Sequence, residues 1–191
     1  MWFRSIVAAC FGSVVLALPA AAEQISRMEI GNWNGGAYTH TETGEFSHCA
    51  ASADYKSGIT LVFSIHRDLT WAMGLANDNW KLTEGDSYTV RYQVDRGKIY
   101  EGTATAIAPN QVKVALPGDD RLFHRFRRGS RLTVVAANQT MQFSLKQTSR
   151  MLSSLFDCAK HWRANYSKPT TNPFGSSSGG GDGGASDNPF Q

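Results

Sequence analysis

The residues best equipped for chemistry are concentrated in DDRLFHRFRRGSR, where Arg121, Arg125, Arg127, Arg128 and Arg131 surround Leu122, Phe123 and Phe126. A guanidinium group is a planar fork of donors whose geometry matches a carboxylate or a phosphate. Five of them within Asp119 to Arg131 make a segment whose natural partners are anions. Nucleic acid, an anionic membrane surface, or water around a solvated helical plug would each satisfy it.

Other chemistry is sparser. His40 and His48 stand near Glu42 and Glu45, and a turn at Gly44 would bring the two imidazoles together. Their spacing fits no standard zinc site, so neither a metal nor a cofactor is expected. Asp78, Glu84 and Asp86 surround Trp80 in LANDNWKLTEGDSY, a pattern that could set acids beside an aromatic platform for sugars. Aspartates in loops are first of all turn formers, and Trp71 and Trp80 are expected to pack in the core or at its rim. The Gly-x-Ser-x-Gly match at Gly175 to Gly179 falls in the glycine-serine tract of the tail, with no strand before it or helix after it to make an elbow, and the chain has no phosphate-cradling glycine loop and no His-Glu-x-x-His helix. A non-enzymatic role is expected.

The compartment narrows the choice of anion. MWFRSIVAACFGSVVLALPAAAEQ carries a positive Arg4, an apolar run to Leu18 and small residues before Glu23. This is the layout of a secretory signal peptide, expected over residues 1–22, and the apolar run is short for a membrane span. A rival lipoprotein box at Val7-Ala8-Ala9-Cys10 would leave almost no hydrophobic region ahead of it. Cleavage leaves Cys49 and Cys158, and two cysteines in a small exported domain are expected to form a disulfide. The mature chain is thus expected in the periplasm or outside the cell, without a transmembrane span. There, nucleic acid gives way to anionic lipid, lipopolysaccharide or an envelope protein as the partner of the arginines. The net charge of +3 agrees with a basicity that is local rather than general.

The elements that must position these groups are mostly strands. Short runs at Ala37 to His40, Phe46 to Tyr55, Ile59 to His66, Thr70 to Leu75, Tyr88 to Val94, Ile99 to Ile107, Val112 to Leu116, Leu132 to Ala136 and Met141 to Leu145 are separated by turn chemistry such as Lys56-Ser57-Gly58 and Asp95-Arg96-Gly97. Regular strands without intervening helices predict a mainly β domain over residues 23–165, an antiparallel β-sandwich or partly open barrel. Glu23 to Gly36 is polar, and Asn34-Gly35-Gly36 has the composition of a turn or loop. The arginine segment is expected to be a short helical turn, capped by Asp119 or Asp120 and ended by Gly129, with Arg121, Arg125 and Arg128 outward. TSRMLSSLFDCAKHWRAN predicts one C-terminal helix, capped by Thr148 or Ser149, with Met151, Leu155, Cys158 and Trp162 in one stripe. Residues 166–191 turn to Gly, Ser, Asn and Pro, a disordered tail with Asn-Pro-Phe triplets ending at Phe174 and Phe190.

The succession GEFSHCAASADYKSGITLVF, WAMGLANDNWKLTEGDSYTV, RRGSRLTV and QFSLKQTSRMLSSLFDCAKH resembles small exported β-domain proteins of Gram-negative bacteria. FSLKQTSRMLSSL after a β domain is also distantly similar to the end of invasion-associated locus B proteins. That resemblance implies a β-sandwich envelope protein linked to host-cell entry, and it supplies no catalytic residues. Together these features predict an exported binding protein of the envelope. The alternatives are an inhibitor of an exported hydrolase, such as a lysozyme or protease, and a small envelope hydrolase.

Overall fold

Period-two alternation of buried and exposed side chains dictates the architecture. In the strand SYTVRYQV, Val90, Tyr92 and Val94 are buried while Thr89 and Arg91 face water. The computed structural model describes residues 22–167, so the expected signal peptide, apart from Ala22, and the tail beyond residue 167 lie outside the described residues. Within them run β1 (Met28–Ile30), β2 (Trp33–Thr39), β3 (Phe46–Asp54), β4 (Thr60–His66), β5 (Trp71–Ala76), β6 (Ser87–Val94), β7 (Ile99–Ala108), β8 (Gln111–Ala115), α1 (Asp120–Arg128), β9 (Arg131–Ala136), β10 (Gln139–Ser144) and α2 (Thr148–Asn165).

The strands form a single antiparallel sheet in the order β1-β2-β3-β4-β5-β8-β7-β6-β9-β10. The sheet curls until its two ends face each other without pairing, the partly open form of the expected architecture. Trp33 Nε1 in β2 donates to the Lys146 carbonyl just after β10 at 3.1 Å. The Tyr55 ring meets Phe143 of β10 edge-on at 5.0 Å. One continuous core fills the interior, including Trp33, Phe63, Met73, Tyr92, Leu132 and Phe143. The sheet remains open because β1 and β10 are its unpaired edges.

Two expectations about local structure are corrected. The Asn34-Gly35-Gly36 sequence is not a turn or loop but part of the first half of β2, and β1 precedes it within the stretch read only as polar. The glycines are there because the backbones crowd. A Cβ on Gly35 would collide with the Ala50 carbonyl oxygen, and one on Gly36 with that of Ser26. The second correction concerns α2. Neither Thr148 nor Ser149 caps it. Gln147, at φ 66°, occupies the cap position without a side-chain cap bond, and Thr148 is buried inside the helix.

The helices close the curled sheet. α2 lays Met151, Leu152, Leu155 and Ala159 into the core over β2, β3 and β4. Cys158 bonds to Cys49 of β3 across a Cα–Cα distance of 6.2 Å and a sequence separation of 109. The expected staple between helix and strand is present. α1 plugs the end where β5 begins. Phe126 is fully buried, its ring 5.4 Å from both Phe63 and Trp71 and edge-on to each.

Candidate anion-binding face

The basic face begins with the way α1 is folded. Asp119 caps the helix by accepting from the Arg121 amide at 2.8 Å, and the Gly129 amide donates to the Arg125 carbonyl at 2.7 Å at the other end. Leu122 and Phe126 point into the core, so the helical period sends Arg121, Arg125 and Arg128 to the exposed side. Arg131, at the start of β9, is exposed as well. Cationic residues in the last turn, Arg125, Arg127 and Arg128, also complement the helix dipole.

Among the described residues the single ion pair is Arg67 with Glu45 at 3.0 Å, far along the chain from α1. Among the described residues no carboxylate lies within salt-bridge distance of any of the five arginines. Two of the adjacent acids, Asp119 and Asp95, are engaged by backbone. Besides Asp119, the Asp95 carboxylate accepts from the amides of Ser130 and Arg131. Arg125 leans over Gly97 in the β6–β7 turn, its Nη1 2.6 Å from where a Cβ on that glycine would stand. Arg127 differs from the others. It is partly buried, and its Nε is enclosed with no hydrogen-bond partner. It lines a depression of about 430 Å³ between α1 and the β4–β5 turn, together with Trp71, Asp119, Phe123 and Phe156.

A second depression, about 640 Å³, lies on the other side of the same turn and is lined by His40, His66, Arg67, Asp68, Lys113 and Arg163. Sequence reasoning found His40 but not the rest, because only strand register unites them. Tyr38, His48 and His66 are direct cross-strand neighbours on β2, β3 and β4. The Tyr38 ring stacks on His48 at 5.3 Å, and His48 lies 5.5 Å from His66. Burial, followed by the neighbouring His66, His40 and Lys113, pushes His48 down to about 4. His66 is lowered by burial and by Lys113, against the opposing pull of Asp68. His48 is therefore neutral at pH 7, and the fixed cations of this depression are Arg67, Lys113 and Arg163. Among the described residues no group of three or more His, Cys, Asp or Glu side chains is placed to hold a metal ion. His40 and His48 do lie in the same region, but the sheet neighbours of His48 are Tyr38 and His66.

The acids around Trp80 do not converge on a cleft. Asp78 accepts from the Asn110 side chain at 3.3 Å, holding two turns together. Trp71 packs as expected, its indole donating to the Pro117 carbonyl at 2.8 Å.

Comparison with known proteins gives a likeness of fold. No family profile matches the chain, and no curated protein matches it in sequence. Its fold is similar to the crystal structure of invasion associated protein B from Bartonella henselae, with a TM-score of 0.51 and 18% identity, covering 71% of this chain and 98% of that one. The distant similarity expected from FSLKQTSRMLSSL is thus found in the architecture. No helix among the described residues is long and apolar enough to cross a membrane.

Proposed function

We propose that this chain is an exported, non-enzymatic binding protein of the cell envelope, and that the arginines of α1 contact anionic envelope components such as anionic lipid or lipopolysaccharide. The observation that carries the reading is the set of guanidinium groups on one exposed helix that have no carboxylate partner among the described residues, beside Asp119 and Asp95, whose carboxylates already accept from backbone amides. A disulfide in a small domain is consistent with an oxidising compartment. The envelope presents phosphate and carboxylate groups at its surfaces, and exposed arginines near such a surface contribute about 1 kcal/mol each.

The test uses vesicles. Purified protein mixed with phosphatidylglycerol vesicles at low ionic strength co-sediments with them, and phosphatidylcholine vesicles leave it in solution. The triple variant Arg121→Gln, Arg125→Gln, Arg128→Gln keeps its circular dichroism and loses about two orders of magnitude in affinity, the equivalent of about 3 kcal/mol. Equal binding by both proteins refutes the assignment of α1.

A further inference from the structure

The two ends of the curled sheet are closed differently. At one end α1 inserts Leu122 and Phe126. At the other, where β5 ends and β9 reaches Ala136, the structure leaves a cavity of about 380 Å³. Its floor is core, formed by Leu75, Val90, Ala104 and Val112. Trp80 and Met141 stand at the rim, half-buried, and Lys81 is the one charged residue of the lining.

This cavity is preformed. The segment between β5 and β6 that carries Trp80 and Lys81 is fastened to the β7–β8 region by backbone hydrogen bonds, Asn77 N to Asn110 O at 3.0 Å, Leu82 N to Pro109 O at 2.8 Å and Gly85 N to Ala106 O at 2.9 Å. The opposite wall ends in the β9–β10 turn, where Ala137 and Asn138 have φ of 46° and 63°. Ala136 and Ala137 contribute only methyl groups there, so the mouth stays open. A concave, largely apolar site of this size with a few polar groups at its edge is the usual form of a small-molecule pocket.

We infer that this cavity binds a free fatty acid, with the acyl chain against Leu75, Val90, Ala104 and Val112 and the carboxylate at the Lys81 ammonium. The apolar floor calls for a hydrocarbon, and the mouth is lined by a cation without a carboxylate partner among the described residues. A single acyl chain suits the cavity better than a two-chain lipid, because its volume is about 380 Å³. The site is independent of the arginines of α1, which lie at the opposite end.

The experiment is calorimetric titration of the purified protein with octanoate, decanoate and dodecanoate below their micellar concentrations. One-to-one saturable binding is expected, tightening about fourfold for each methylene added. Lys81→Glu weakens dodecanoate at least tenfold and reverses the preference against dodecyltrimethylammonium. Gln139→Trp, at an exposed rim position, and Ala136→Phe both obstruct the mouth and abolish binding. The first keeps the test valid should the second disturb folding. The Arg121, Arg125, Arg128 variant binds dodecanoate as the wild type does. Absence of saturable binding overturns the site. Binding indifferent to the Gln139→Trp obstruction overturns its location. Equal binding of the alkylammonium, with no effect of Lys81→Glu, overturns the fatty acid as ligand.

Discussion

At the scale of single residues, burial sorts side chains that look alike in sequence. Phe123 and Phe126 both stand on the apolar side of α1, but Phe126 is fully enclosed, whereas Phe123 is half-exposed against Trp71 and Phe156. Phe126→Ala therefore costs about 3 to 5 kcal/mol in urea unfolding, and Phe123→Ala costs clearly less. Similar losses at the two positions would mean that α1 does not seat as described. His48 makes a prediction of another kind. Its folded form holds the imidazole neutral down to about 4, while the unfolded chain protonates it near 6.5. Between those values the unfolded chain binds more protons, so this contribution to stability is lost as pH falls from about 6.5 towards 4. Unfolding midpoints at pH 7 and pH 4.5 should drop further for wild type than for His48→Gln. A variant that loses as much as wild type would remove His48 from the account.

At the scale of elements, most strands were legible because turn residues punctuate alternating runs, as Asp95-Arg96-Gly97 does between β6 and β7. α1 was legible for the same reason, with a capping Asp119 before it and Gly129 after it. β1 and the first half of β2 were not. Gly35 and Gly36 read as turn residues in isolation, and the crowding that requires them comes from Ala50 and Ser26, distant contacts that no local window contains. Trp33, one of the largest core residues, was hidden with them. The start of α2 was misplaced because Gln147 adopts a left-handed conformation in place of a side-chain cap. The arginines of the candidate face could be named from the sequence, since helical period alone sends them outward. The depression holding His66, Lys113 and Arg163 could not, because it is assembled by strand register and by the end of α2.

At the scale of the whole molecule, one disulfide joins the only long helix among the described residues to β3, and β4 to β10 together with α1 lie between them in sequence. Closing a loop of 109 residues removes denatured-state freedom equivalent to about 4 to 5 kcal/mol in the chain-entropy model. The double variant Cys49→Ala, Cys158→Ala is expected to unfold at markedly lower urea than the oxidised protein. Coincident unfolding curves would show that the staple does not hold the domain. The same architecture leaves its two ends with different chemistry, a cationic end around α1 and an apolar mouth at Trp80.

The central claim, that α1 is an anion-contacting face, is tested most directly by the salt dependence of vesicle binding. The affinity of the wild type for phosphatidylglycerol vesicles, measured across increasing sodium chloride, should fall steeply, because exposed charges are screened within about 10 Å at 0.1 M salt. The Arg121, Arg125, Arg128 variant should bind weakly and respond little. Superimposable curves for the two proteins at every salt concentration would contradict the claim and return α1 to a solvated plug at the end of the sheet.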